Sequence, residues 1–186
     1  MTSWLASAPP DEVDAGPVRL RRWRPADAET ITALVEANLE HLRPWMPWAQ
    51  QMPTVEEERS WLARMDAAWW ALSDFGYAVE LPEAGPIGGM GLHTRQGPRT
   101  LEIGYWIAAA HTGRGYATAA AGALTGAAFA LAGVDRVEIR CDEANHPSAA
   151  VPRKLGFRMV RFLDREPSAP AETGRFMIWA KERDPG

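Results

Sequence analysis

A chain of 186 residues with a formal charge of −4 fits one domain with a substantial core and offers no basic footprint for nucleic acid. Its one cysteine, Cys141, excludes an internal disulfide, and no Cys/His cluster has ligand spacing, so no metal is expected. No stretch reaches the ~18 apolar residues of a membrane span, and residues 1–10 lack the basic start and apolar run of a secretion signal; the expected compartment is the cytoplasm.

Residues 1–16 contain Pro, Ala and Asp without a period and read as a flexible N-terminal tail, with 17–186 as a single domain. Val18-Arg19-Leu20-Arg21-Arg22-Trp23 alternates as a first strand. Pro25 suits a helix start, Asp27 and Glu29 its first turn, and Ile31, Leu34, Val35, Leu39 and Leu42 follow at helical spacing. Pro44 and Pro47 break this helix within His41–Trp48. Thr54-Val55-Glu56-Glu57 is a capping box. It opens a second helix with Trp61, Leu62, Met65, Trp69 and Leu72 on one face. Five of the nine tryptophans (Trp45, Trp48, Trp61, Trp69, Trp70) gather here, too densely for uniform core filling.

Residues 75–81 and 86–94 read as two strands. Gly88, Gly89 and Gly91 weaken the second and leave room for a ligand close to its backbone. A strand over 99–107 leads through a glycine-rich turn into an alanine-rich helix over 115–132. Gly122 and Gly126 inside that helix each cost ~1 kcal/mol against alanine, which suits a helix lying close to a sheet. Gly133 is placed as its C-cap. A strand over 134–141, a short helix over 145–155 with Pro147 and Pro152, and a hairpin of 156–163 with 173–181 complete the chain. This β-α-α-β-β-β-α-β-α-β-β order implies a mixed sheet with helices on its faces.

The turn Gly113-Arg114-Gly115 opens a helix whose first four N–H groups have no internal partner and carry the positive end of its dipole. Such a terminus binds phosphate, and Gly113 and Gly115 let a ligand approach the backbone. It is neither a G-x-G-x-x-G fingerprint nor a G-x-x-x-x-G-K-[S/T] loop, which argues against a nucleotide-binding α/β protein.

Leu101-Glu102-Ile103-Gly104-Tyr105-Trp106-Ile107, Gly113-Arg114-Gly115-Tyr116-Ala117-Thr118, Asn145-His146-Pro147-Ser148 and Lys154-Leu155-Gly156-Phe157 occur in this order. Together they resemble the GNAT superfamily of acyl-CoA N-acyltransferases, in its RimJ/RimL-type branch, over residues 17–182. The resemblance implies a GNAT-like α/β fold: a central twisted mixed sheet of about seven strands flanked by about four helices. It implies acetyl-CoA or another acyl-CoA as co-substrate, an amine-bearing acceptor (a protein N-terminus or a small amine), and a homodimer, which the Trp-rich segment permits. Thr112 stands where the family has Gln or Arg. Pro152 replaces the family's proton-donating Tyr, so the Asn-x-x-Ser of the branch passes that role to Ser148.

By the same resemblance Trp106, Ile107 and Ala108 meet the pantetheine arm through backbone N–H groups. Thr112, Gly113, Arg114, Gly115, Tyr116, Ala117 and Thr118 meet the pyrophosphate, Asn145 hydrogen-bonds the CoA arm, and Arg153 and Lys154 are cations near the CoA phosphates. Trp45, Trp48 and His93 are assigned to the acceptor. Glu102 alternates with Leu101 and Ile103 on its strand, where burial should raise its pKa; it is the first candidate base. His93, His41 and His146 are rivals, because imidazole titrates near neutrality. At pH 7 an α-amine costs about 1.4 kcal/mol to deprotonate and a lysine about 4.6 kcal/mol. No Cys or Ser has an evident partner base, so direct attack in a ternary complex is expected. Two alternatives stay open: a non-catalytic acyl-CoA-binding module, and a succinyl-CoA-type donor.

Overall fold

The computed structural model describes residues 4–184. Eight strands form one sheet: β1 (Glu12–Asp14), β2 (Arg19–Arg22), β3 (Asp74–Leu81), β4 (Gly85–His93), β5 (Thr100–Ile107), β6 (Arg136–Asp142), β7 (Arg158–Asp164) and β8 (Arg175–Glu182). Their order is β1-β2-β3-β4-β5-β6-β8-β7. Among the described residues only β5 and β6 pair in parallel. The helices are α1 (Ala28–Glu36), α2 (Leu39–Leu42), α3 (Val55–Trp70), α4 (Tyr116–Ala130) and α5 (His146–Lys154). None of them is long and apolar enough to cross a membrane.

The sheet exceeds the expected seven strands by β1. Glu12–Asp14 pairs with β2, and Leu5 is buried in the main core. The tail expected over 1–16 is therefore corrected from residue 4 onward; residues 1–3 lie outside the described part. The expected first helix divides at Ala37–Asn38 into α1 and α2. The Asn38 side chain turns back to the Leu34 carbonyl and forward to the Ala109 N–H, each at 2.8 Å. α3 begins as the capping box requires: Thr54 Oγ1 accepts from Glu57 N–H at 3.2 Å, and Glu57 accepts from Thr54 N–H at 2.8 Å.

Two apolar layers sandwich the sheet. Leu124 and Ala120 of α4 join Phe75, Leu92, Leu101 and Ile139 in the larger one. Ile31 and Val35 of α1 and Leu62 of α3 enclose Trp23 and Ala78 in the smaller. Gly122 meets the side chain of Leu155, at 3.0 Å from where a Cβ would stand, and Gly126 meets nothing. Close approach to the sheet is thus not the reason for either glycine. α4 ends at Ala130 with Leu131 as its cap, and Gly133 takes a positive φ of 87° two residues beyond that cap.

One topological feature makes the site. β5 and β6 pair only from Thr100↔Arg136 to Ile103↔Ile139, although β5 continues to Ile107 and β6 to Asp142. Beyond that point they diverge and leave a wedge in the middle of the sheet.

Candidate active site

On one side of the wedge is the glycine turn. Gly113 and Gly115 have φ of 73° and 84°, and apart from each glycine and its two chain neighbours no described atom lies within 4 Å of a Cβ built on either. Their glycine identity answers to backbone conformation and leaves open space above the turn. The first helical bond at this end of α4 runs from Ala119 N–H to Gly115 C=O at 2.9 Å. Among the described residues, the N–H groups of Gly113 through Thr118 make no hydrogen bond. Six free donors at a helix N-terminus fit the pyrophosphate of CoA. A groove of about 320 Å³ runs from this turn to the wedge. Trp106, Ile107, Thr112, Gly113, Gly115, Tyr116, Ala117, Thr118, Asn145 and Lys154 all line it. Arg114 is exposed on the turn, outside that lining. Thr112 directs its hydroxyl back to the Ala109 carbonyl at 2.9 Å.

The expectation for Trp106–Ala108 narrows to one of the three. Ala108 N–H is spent on the Ile87 carbonyl at 2.7 Å. In an antiparallel ladder bonding alternates along the strand. Trp106 therefore also bonds to β4, while Tyr105 and Ile107 turn their N–H groups to the wedge. The Ile107 carbonyl holds His41 Nε2 at 3.2 Å, which ties α2 to the strand end and engages one of the two ring nitrogens of His41. His146 is exposed and lines neither cavity.

On the other side is a cavity of about 1070 Å³, lined by Trp45, Trp48, His93 and Glu102 among others. Its floor is a row of glycines, Gly76↔Gly91↔Gly104, across three strands. The His93 ring lies on this row: a Cβ on Gly91 would come within 2.9 Å of Nε2, and one on Gly104 within 3.5 Å. The Trp106 indole covers Gly89 in the same way, at 2.8 Å, and stands 6.0 Å from Trp48 between ring centroids. The space beside the strand glycines, expected to admit a ligand, is thus filled by the two rings at Gly89 and Gly91 and by the backbone of β5 at Gly88. Trp61 lines the cavity too. Trp69 packs edge-on against Phe75 and Tyr77, and the Arg22 guanidinium contacts both Trp69 and Trp70. The tryptophan cluster is therefore part cavity wall and part core.

Glu102 is buried, as expected, but its pKa is lowered where a rise was expected. Burial acts to raise its carboxyl. Arg95, by hydrogen bond and charge, together with His93 and Gln96, outweighs burial and holds it below its ordinary value of 4.5. Arg140 adds a further contact at 3.7 Å. A carboxylate so neutralised is a poor proton acceptor. Its register partner His93 is better placed: Nδ1–H donates to Asp74 Oδ1 at 2.6 Å, leaving the Nε2 lone pair over the glycine floor.

The two cavities share Trp45, Met46, Tyr105, Trp106, Asn145 and Ser148 as lining residues. Asn145 caps α5 by accepting from Ser148 N–H at 3.1 Å. The Tyr105 hydroxyl donates to the Ser148 carbonyl at 2.9 Å and accepts from Ser148 Oγ at 3.2 Å. Asp74, Tyr105 and Asn38 are site residues that the sequence reading passed over. Each acts on a partner at least 19 residues away, so only the pairing of strands brings it into place.

A family model for the acetyltransferase (GNAT) domain matches residues 18–158. YdaF of Bacillus subtilis strain 168, named as a ribosomal N-acetyltransferase, is 31% identical over 141 residues, covering 75% of this chain and 77% of its own. Mycobacterium smegmatis RimJ in complex with CoA-disulfide superposes with a TM-score of 0.81 at 27% identity, over 98% of this chain and 90% of that one. RimL, a ribosomal L7/L12 α-N-protein acetyltransferase in complex with CoA, shares the fold with a TM-score of 0.83 at 19% identity, over 93% and 98% of the two chains. A wedge between the parallel strands, a cradle of free N–H groups beside it and these matches agree: the chain belongs to the GNAT acetyltransferases, in their RimJ/RimL-type branch.

Proposed function

We propose that this acetyl-CoA-dependent N-acetyltransferase works by direct attack of a primary amine within a ternary complex, with His93 as general base and Ser148 as proton donor. The free N–H groups of Gly113–Thr118 hold the CoA pyrophosphate, and Ile107 N–H meets the pantetheine arm in the wedge. His93 Nε2 takes a proton from the acceptor ammonium, and Asp74 keeps the ring in the orientation that leaves Nε2 free. The neutral amine attacks the thioester carbonyl, the C–S bond breaks, and the Ser148 hydroxyl, positioned by Tyr105, gives its proton to the leaving thiolate and is reprotonated by the proton that the new amide nitrogen sheds. Direct transfer is supported by the state of Cys141: burial pushes its thiol up to about 11, so it is no nucleophile at neutral pH.

The acceptor in this reading is a protein N-terminus, as the name of RimL describes for that protein, and the compartment is the cytoplasm, where ribosomal proteins are made. A homodimer belongs to the same reading. The β7 edge of the sheet exposes Met159, Val160 and Phe162, a surface that a second copy would cover.

The observation that carries the proposal is the meeting of the donor groove and the acceptor cavity at six shared residues. The test is the pH dependence of kcat/KM for acetylation of an N-terminal peptide by wild type, His93→Ala and Glu102→Gln. Loss of the ascending limb in His93→Ala and its retention in Glu102→Gln is the expected result. Retention of that limb in His93→Ala would remove His93 as the base.

A further inference from the structure

Several carboxylates line the acceptor cavity, and all but one are occupied. Asp74 holds His93, Glu102 holds Arg95 and Arg140, and Glu57 is spent on its helix cap. Asp142 binds the backbone N–H groups of Ala144, Thr173 and Gly174, and Glu172 holds Arg165. The exception is Glu58 of α3. It is only 8% exposed, it lines the cavity, and its side chain has no hydrogen-bond or ion-pair partner among the described residues. Arg64 of the same helix also lines the cavity and has no ion-pair partner among the described residues, but it lies six residues on, about 9 Å along the axis, and is exposed. A buried carboxylate facing an aromatic-lined cavity is costly unless something neutralises it, and Trp23, Trp48, Trp61 and Trp106 line the same space. Carboxylate and indole faces together recognise cations.

Resting on the acyl-transfer reading above, we propose that Glu58 binds a second positive charge of the acceptor, distinct from the reacting amine. The acceptor is a dicationic amine: either a peptide with a lysine or arginine just after its N-terminal residue, or a small diamine. His93 serves the reacting amine at the glycine floor, and Glu58 holds the other charge from the α3 wall.

The experiment compares wild type, Glu58→Gln and Glu58→Lys on N-terminal peptides that differ only at the second residue (Lys, Gln or Glu), and on 1,4-diaminobutane against 1-aminobutane. Wild type should favour the lysine peptide or the diamine by about tenfold in kcat/KM, the scale of one charge-assisted contact. Glu58→Gln should lose that preference through KM with kcat for the glutamine peptide retained, and Glu58→Lys should invert it. A preference confined to peptides identifies the protein source, and one confined to the diamines the small-molecule source. An equal preference in wild type and Glu58→Gln overturns the proposal. If wild type acetylates none of these acceptors, the acyl-transfer reading fails. The role of Glu58 is then decided by calorimetric titration with 1,4-diaminobutane: binding lost in Glu58→Gln upholds it, and unchanged or absent binding overturns it. Glu58→Gln relieves an unpaired buried charge, so it should melt no lower than wild type.

Discussion

His93 and Glu102 face each other across β4 and β5, and their other neighbours divide the work between them. Arg95 and Arg140 make Glu102 a fixed charge, while Asp74 makes His93 an oriented ring. The lowered pKa of Glu102 has a definite sign in stability. A carboxyl held below its ordinary value stabilises the fold above that value and loses the contribution as pH falls through the folded one. The difference in melting temperature between wild type and Glu102→Gln should therefore be largest at neutral pH and shrink below about pH 4.5, measured by thermal melts across pH. Gly91 bears on the same pair. An added Cβ would stand 2.9 Å from His93 Nε2 but 3.4 Å from the nearest backbone atom, the Phe75 carbonyl oxygen. Gly91→Ala should push the imidazole off the floor and lower kcat roughly 10- to 100-fold, the scale of a misplaced catalytic group. Its unfolding free energy should move by less than about 1 kcal/mol. Kinetics and denaturant melts on the same protein separate the two effects.

Among the elements, β4 shows the other use of glycine. A Cβ on Gly88 would come within 2.2 Å of the Trp106 carbonyl oxygen and 3.0 Å of Ile107 Cα, so backbone itself would have to move. Gly88→Ala should cost about 1–3 kcal/mol, read from denaturant melts, with CoA affinity falling as the end of β5 shifts. Sequence alone treats Gly88 and Gly91 alike, because both interrupt an alternating pattern; what each glycine faces depends on the strand beside it. Elements with strong local signals were legible for that reason. The Thr54–Glu57 cap fixes the start of α3 by side chains three residues apart, and the turn before α4 demands positive φ at Gly113 and Gly115. β1 was not legible: its three residues, Glu-Val-Asp, form a strand only because β2 pairs with them. The split of α1 from α2 was hidden too, since it turns on Asn38 reaching Ala109, 71 residues away.

Across the whole molecule the sheet is two halves joined by a short seam. β1 to β5 and the β6-β8-β7 group meet in the sheet only through the four register pairs from Thr100↔Arg136 to Ile103↔Ile139. Family motifs pointed to the groove, but where β5 and β6 part company is not written in either strand: each stays regular past the seam, and only the sheet as a whole shows the gap. In the proposed binding mode an acyl-CoA lies in that gap and touches both halves, its phosphates on α4 and its arm between Ile107 and the start of α5. It binds the folded seam and not the unfolded chain, so at a hundred times its Kd it should add about 2.7 kcal/mol of stability. The gain should be localised. Amide exchange at Gly104–Ile107 and at Arg140–Asp142 should slow together when CoA is added, whereas β1 and β2, which contribute no residue to the groove, should change little. In Gly115→Ala the left-handed cap costs roughly 1–2 kcal/mol on its own, and the CoA-induced protection should weaken on both sides of the wedge at once. Protection confined to β5 would mean that the arm lies along one strand and that the wedge is not its seat.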